Sequence, residues 1–227
     1  MRAQLQRVWI GWVVLFCLAL LHCTRERPVA QLQNTANQPA VEQGVAAAAP
    51  AVPPPVAPLP AGEQGKLETA ILAGGCFWGM EEILRKIPGV VQTEVGYTGG
   101  TTSAPSYETV HTGETGHAES VRIVFDPSVL SYSDLLEKWF FRMHDPTTKN
   151  RQGNDRGTQY RSAIFYTTAE QQKTALAVIE RVNVSKKWKD PIVTEVSAAG
   201  PFTLAEEYHQ DYLQKNPGGY TCHYLRD

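Results

Sequence analysis

Cys76 lies in Gly74-Gly75-Cys76-Phe77-Trp78-Gly79-Met80-Glu81, where a short apolar strand, Thr69 to Ala73, must turn into a helix. The first turn of a helix offers unpaired N–H groups and a partial positive charge. A thiol placed there is expected to be stabilised as thiolate, the nucleophilic form. The paired glycines let the backbone turn sharply and approach a ligand closely. Phe77 and Trp78 follow directly, so the sulfur is expected to border an apolar, π-rich pocket.

A second thiol, Cys222, follows Asn216-Pro217-Gly218-Gly219-Tyr220-Thr221 on what reads as a flexible, Gly-containing tail. Spacing alone leaves two readings open. In an exported protein the two cysteines form a structural disulfide. Otherwise Cys76 is oxidised and Cys222 swings in to resolve it. No Cys-x-x-Cys is present, which speaks against a thioredoxin-type site.

A carboxyl enters through strand phase. Over His117 to Phe125, residues Glu119, Val121, Ile123 and Phe125 share one face, with Ser120 and Arg122 on the other. At the buried end of an apolar face, the Glu119 carboxyl loses hydration and its pKa rises, which suits a proton donor near neutral pH. The competing reading is a wet strand end or a structural ion pair. His111, His117, His144, His209 and His223 show no metal-ligand spacing, so no metal is expected. A Cys/His/Asp hydrolase built on Cys76 lacks an identifiable histidine. Met80, Trp139, Phe140 and Phe141 read as core. A net charge of −2 and pI ≈ 6.3 give no reason to expect nucleic acid as partner.

These residues need elements to hold them. Met80, Ile83, Leu84 and Ile87 recur at helical spacing after Cys76, while Glu81, Glu82, Arg85 and Lys86 fall largely on the other side; Pro88-Gly89 stops the helix. Val90 to Tyr97 alternates as a strand, and Thr98-Gly99-Gly100 opens a loop to about Gly116. After the strand to Phe125, Ser131 caps a helix to about Met143 through Ser-x-x-Asp. Arg151 to Thr158 reads as loop, Tyr160 to Tyr166 as strand, and Ala169 to Lys187 as a helix capped by Thr168 with Gln171. Ile192 to Val196 is a further strand. Thr203-Leu204-Ala205-Glu206 is expected to cap a last helix ending before Pro217. Interleaved strands and helices indicate a layered α/β domain.

The N-terminus reads differently. Arg2 and Arg7 precede an apolar run from Val8 to Leu21, short for a membrane span but suited to a signal-peptide core. Residues 1–23 are therefore read as a signal peptide or lipoprotein-type signal, with Cys23 the lipidation candidate although His22 precedes it. The alternative is a retained anchor or ordinary cleavage nearby. Eight of the 15 prolines fall between Pro28 and Pro60, which marks residues 24–65 as a Pro/Ala-rich linker. It would reach roughly 35 Å as a coil and about 120 Å if extended. The globular domain then covers 66–227. The expected address is outside the cytoplasm, periplasmic or membrane-tethered in a bacterium.

The globular part resembles the A-type peptide methionine sulfoxide reductases. The resemblance rests on Gly75-Cys76-Phe77-Trp78-Gly79-Met80-Glu81, Gly96-Tyr97-Thr98-Gly99-Gly100 and Thr115-Gly116-His117-Ala118-Glu119. It continues in Gly153-Asn154-Asp155-Arg156-Gly157-Thr158-Gln159-Tyr160-Arg161-Ser162, Ala205-Glu206-Glu207-Tyr208-His209-Gln210 and Asn216-Pro217. It implies an α+β two-layer sandwich: a mixed sheet with flanking helices, extended loops and a ferredoxin-like core. It also implies reduction of the S epimer of methionine sulfoxide, free or in oxidised proteins. Cys76 would attack the sulfoxide sulfur, Phe77 and Trp78 would wall the substrate methyl, and Glu119 would protonate the oxygen. Tyr107 and Tyr160 would hydrogen-bond that oxygen, with Asp155 a further hydrogen-bonding residue of the pocket. The Cys76 sulfenic acid would condense with Cys222, and a thioredoxin-like dithiol would recycle the disulfide, with no metal or organic cofactor. A monomer is expected. Some relatives carry a further C-terminal relay cysteine; none follows Cys222 here. A thiol peroxidase, or a non-catalytic tethered binding module stapled by Cys76–Cys222, would use the same thiols differently.

Overall fold

In a computed structural model of the chain, residues 67–227 are described. The signal segment 1–23 with its lipidation candidate Cys23, and the linker 24–65, lie outside the described residues.

The chain opens with β1 (Glu68–Gly74), α1 (Phe77–Leu84) and β2 (Val90–Thr98). A short helix α2 (Tyr107–His111) precedes β3 (Ala118–Phe125). Next comes α3, a helical run over 132–143 whose middle, Leu135–Phe140, is π-helical. A two-strand hairpin, β4 (Arg151–Gln152) and β5 (Asp155–Arg156), leads to β6 (Ser162–Tyr166), the long helix α4 (Ala169–Ser185), β7 (Glu195–Ala198), β8 (Thr203–Leu204) and α5 (Tyr212–Lys215).

The main sheet has the order β7-β6-β1-β3-β2-β8, antiparallel except for the parallel pair β6–β7. Its centre, β6-β1-β3-β2 with α1 and α3 in the crossovers, is the expected ferredoxin-like core. Strand alternation explains the layering. Ala70 and Leu72 of β1 pack with Met80 and Leu84 of α1, whereas Ile71 and Ala73 meet Ala118, Ala163 and Phe165 on the opposite face. Phe140 and Phe141 are buried in the helix-side core, with Trp139 packed against it.

Several elements differ from the expectation, some through local caps and turns and others because a tertiary partner outweighs local propensity. The loop after Thr98 contains α2, closed by a reciprocal capping box between Ser106 and Thr109. The stretch 151–158 folds back as the β4–β5 hairpin, and a 3₁₀ turn, Thr158–Tyr160, delays the next strand to Ser162. The strand expected over 192–196 begins at Glu195 instead. The Ile192 and Val193 amides are already donated to Asn183 Oδ1 and the Pro146 carbonyl, both at 2.9 Å. Helix α4 is capped by Thr168 as expected but stops at Ser185, where Lys186 turns left-handed.

The C-terminal segment departs most. Thr203–Leu204 adds to the sheet beside β2, and only Tyr212–Lys215 is helical. Gln210 explains why. Its side chain accepts from the Val95 amide and donates to the Val95 and Ala205 carbonyls, each at 2.9 Å, and so holds the segment against β2. This segment also covers the side of α1 expected to face solvent. Glu81 is 1% exposed, bonded to Arg85, Thr93 and the Asp211 amide.

Candidate active site

The site starts at the turn between β1 and α1. Gly75 has φ +108°, and a Cβ there would lie 2.5 Å from the Gln152 side chain, so the position requires glycine. Cys76 follows as the N-cap of α1 and is 6% exposed. The first helical N–H, that of Phe77, donates to Glu119 Oε2 at 3.1 Å across from β3. The helix terminus therefore serves a carboxyl as well as the thiol.

This changes the expected state of the sulfur. Burial pushes the Cys76 thiol far above its ordinary range, and the charge of Glu119 adds to the rise; the Trp78 N–H pulls the other way and loses. Cys76 rests as a thiol, not a thiolate. A helix N-terminus lowers a cysteine pKa only where it outweighs desolvation.

Glu119 conforms to its strand phase. It is 2% exposed, with Val121, Ile123 and Phe125 fully buried further along the same face. Burial pushes its pKa up to about 8, against the pull of the Phe77 N–H and with a further push from Asp155. Near neutral pH it is a carboxylic acid held beside a thiol.

Both groups line one cavity of about 170 Å³ together with Phe77, Trp78, Tyr107, Asp155 and Tyr160. Seven of the expected residues thus converge, and His111 and Tyr220 join them. Burial, then Glu119, keep the Tyr107 and Tyr160 hydroxyls protonated and so available as donors. Tyr160 Oη stands 3.5 Å from His111 Nδ1. Tyr107 is placed by Glu206, which accepts from the Tyr107 amide at 2.8 Å and the Tyr97 hydroxyl at 2.9 Å. Burial alone would raise the Glu206 carboxyl, but these hydrogen bonds hold it below its usual value.

The aromatic wall is held by stacking and a hydrogen bond. Trp78 stacks on Tyr212 with centroids 3.8 Å apart and donates Nε1–H to His209 Nδ1 at 3.0 Å. His209 is itself buried among Phe77, Tyr107 and Tyr208, and burial keeps its pKa low. Its role is structural support, and the sequence carried no signal for it beyond its place in a motif.

Cys222 does not line this cavity but is bonded to one of its lining residues, Asp155. Its sulfur donates to Asp155 Oδ2 at 3.4 Å and receives the backbone N–H of Cys76. Burial and then Asp155 push its thiol up to about 12. Both cysteines are free thiols. The tail was expected to be flexible, yet it is anchored on both sides of Cys222. Tyr220 donates to Asp155 Oδ1 at 3.0 Å, and His223 Nε2 meets the Gly74 carbonyl at 2.8 Å. Further on, Arg226 bonds Arg142 through the backbone and lies over the Tyr224 ring at 4.2 Å. Gly79 gives the tail its place on α1: a Cβ there would overlap Thr221 Oγ1 and lie 2.7 Å from His223 Nδ1. Gly79 and His223 were both missed as site residues, although a glycine inside an eight-residue helix is itself a signal. Among the described residues no three His, Cys, Asp or Glu side chains form a metal-binding group.

A buried thiol, a protonated carboxyl and a second thiol within reach define a thiol-dependent oxidoreductase. The family profile for peptide methionine sulfoxide reductase matches residues 68–227. A curated relative from Mycolicibacterium paratuberculosis, peptide methionine sulfoxide reductase MsrA, is 58% identical over 159 residues, 70% of this chain and 90% of the relative. Mxr1 from Saccharomyces cerevisiae in reduced form is similar in structure, with TM-score 0.68 and 41% identity over 72% of this chain and 94% of its own. Mxr1 in complex with Trx2 gives TM-score 0.50 and 26% identity over 72% and 93%. The chain belongs to the peptide methionine sulfoxide reductase family, and it is an oxidoreductase that reduces methionine sulfoxide.

Proposed function

We propose that the chain reduces the S epimer of methionine sulfoxide, free or in oxidised proteins, through Cys76, Glu119 and Cys222. The observation that carries this reading is the meeting of a buried thiol and a protonated carboxyl in one aromatic-walled cavity. Phe77 and Trp78 receive the substrate methyl, and the Tyr107 and Tyr160 hydroxyls hydrogen-bond its oxygen, with Asp155 at the same wall. Cys76 forms a bond to the sulfoxide sulfur as Glu119 protonates the oxygen. The Cys76 proton returns to Glu119, the oxygen passes to Cys76, and methionine leaves. The balance is one sulfoxide and one thiol converted to one thioether and one sulfenic acid. Cys222 then attacks the sulfenic sulfur and water departs, leaving a Cys76–Cys222 disulfide. A thioredoxin-like dithiol reduces it, a partner supported by the Mxr1 complex with Trx2.

These steps balance on sulfur alone and need no cofactor beyond that dithiol. With every assigned group on one chain, a monomer suffices. The signal-like segment 1–23 and the linker 24–65 support an exported enzyme, periplasmic or tethered to a membrane through Cys23, with the catalytic domain over 66–227.

Cys222→Ser tests the two-thiol cycle. It is expected to release about one methionine per chain and then stall with thioredoxin as reductant. Sustained turnover at the parent rate would remove Cys222 from the cycle.

A further inference from the structure

The resolving step poses a problem of protons. Cys222 is held as a thiol by burial and by Asp155, yet it must attack as sulfur without its proton. Two acceptors reach the sulfur: Asp155 Oδ2 at 3.4 Å, to which the S–H donates at rest, and His223 Nδ1 at 3.5 Å, to which the hydrogen must turn before transfer. They differ in what else holds them. His223 Nε2 lies 2.8 Å from the Gly74 carbonyl, which can only accept, so Nε2 carries the hydrogen. The tautomer is therefore set by the backbone, and Nδ1 presents a lone pair to Cys222. His223 is 7% exposed, and no other donor to Nδ1 is seen among the described residues.

We propose that His223 is the general base of the resolving step, taking the Cys222 thiol proton at Nδ1 as Cys222 attacks the Cys76 sulfenic sulfur. The S–S bond forms and the S–O bond breaks. The departing hydroxide takes the Glu119 proton and leaves as water, and the imidazolium returns its proton through solvent to Glu119. Cys76 sulfur is reduced and Cys222 sulfur oxidised by the same amount, so no further reactant is needed. Asp155, which also contacts the sulfur, stabilises the imidazolium as it forms. The titratable and charged groups around His223 are the Cys222 thiol, Asp155, Arg226 and His144. Burial lowers its pKa to about 4, against the opposing pull of the Gly74 carbonyl and then of Asp155, and so leaves Nδ1 free of protons in the working range. Gly79, without a Cβ, leaves room for this nitrogen.

The inference rests on Cys222 as the resolving thiol. The experiment follows both half-reactions of the full chain in a single turnover without reductant. Methionine release reports the first step, and mapped Cys76–Cys222 disulfide the second. His223→Gln can keep an N–H on the Gly74 carbonyl but offers no base. It is expected to release methionine as the parent does and to form disulfide about 10²–10⁴-fold more slowly. Imidazole added to His223→Ala should restore the second step in proportion to its concentration, which a purely structural role would not. A His223→Gln disulfide rate within about threefold of the parent, far below the general-base range, overturns the proposal. If the variants release no methionine, the parent decides. A second step flat between about pH 6 and about pH 7.5 supports a built-in base, and a tenfold rise per pH unit, the mark of unassisted thiol ionisation, overturns it. A parent that forms no Cys76–Cys222 disulfide would instead bring down the assignment of Cys222 itself.

Discussion

Cys76 and Glu119 both hold protons near neutral pH, and the exchange proposed for them needs both. Net conversion of a sulfoxide and a thiol to a thioether and a sulfenic acid consumes no proton. One side chain has only to deliver a proton to oxygen while the other gives one up. This makes the acid form of Glu119 the active one. With a pKa of about 8, the first step is expected to be level below pH 8 and to fall about tenfold per unit above it. Glu119→Gln should slow that step by about 10²–10⁴ and abolish the fall. The same raised pKa sets a stability effect of known sign. The carboxyl ionises near 4.5 when unfolded and near 8 when folded, so its contribution is full below pH 4.5 and is lost as pH rises through 8. The glutamine variant is therefore expected to be slower yet more stable, by about 3 kcal/mol at pH 7, read by denaturant unfolding across pH. Unchanged kinetics would leave Glu119 a structural residue only. The position of Glu119 was readable from the two-residue period of β3. The protonation of Cys76 was not, because helix polarity is local while burial depends on what folds over the thiol.

Helix α1 does three things with eight residues. Its N-terminus carries Cys76 and binds Glu119, its apolar face enters the core, and its middle receives the C-terminal tail at Gly79. A helical glycine weakens a helix by about 1 kcal/mol relative to alanine. Here it makes room for Thr221 and His223. Gly79→Ala is thus expected to leave the first methionine release close to the parent's and to slow disulfide formation at least tenfold, about 1.4 kcal/mol. Equal disulfide rates in rapid-quench assays would show that the tail reaches Cys76 without this contact. Such long-range contacts leave no local trace in the sequence. Strands β1 to β3, α1 and α4 announce themselves through periodicity and caps. The segment from Thr203 to Asp211 carries helix-cap signals, yet Glu206 and Gln210 are committed to Tyr107, Tyr97 and Val95 far away in sequence. No local pattern reports those partners. The tail's Gly-rich composition likewise hides its anchors at Asp155, Gly74 and Arg142.

Across the whole domain, the sheet brings together residues spread over nearly 150 positions, from Cys76 to Cys222. The central pairing of β1 with β3 sets Cys76 beside Glu119, and the loops after β2 and α3 bring Tyr107, Asp155 and Tyr160 to the same end. That the separate motifs belonged to one site was legible only through the family resemblance, since spacing alone left the two thiols open between staple and catalytic pair. The reading of the N-terminus predicts that chain recovered from its native compartment begins at or near Cys23, by mass spectrometry of the mature end; an intact Met1 would contradict export with cleavage. In the proposed cycle two electrons pass from Cys76 and Cys222 to one sulfoxide. Its most direct test mixes the fully reduced protein with methionine S-sulfoxide without reductant, counts methionine released, and maps the oxidised cysteines by mass spectrometry. About one methionine per chain and a single Cys76–Cys222 disulfide are expected, with Cys76→Ser releasing none. Methionine release by Cys76→Ser, or release from the parent with both thiols still free, would contradict it.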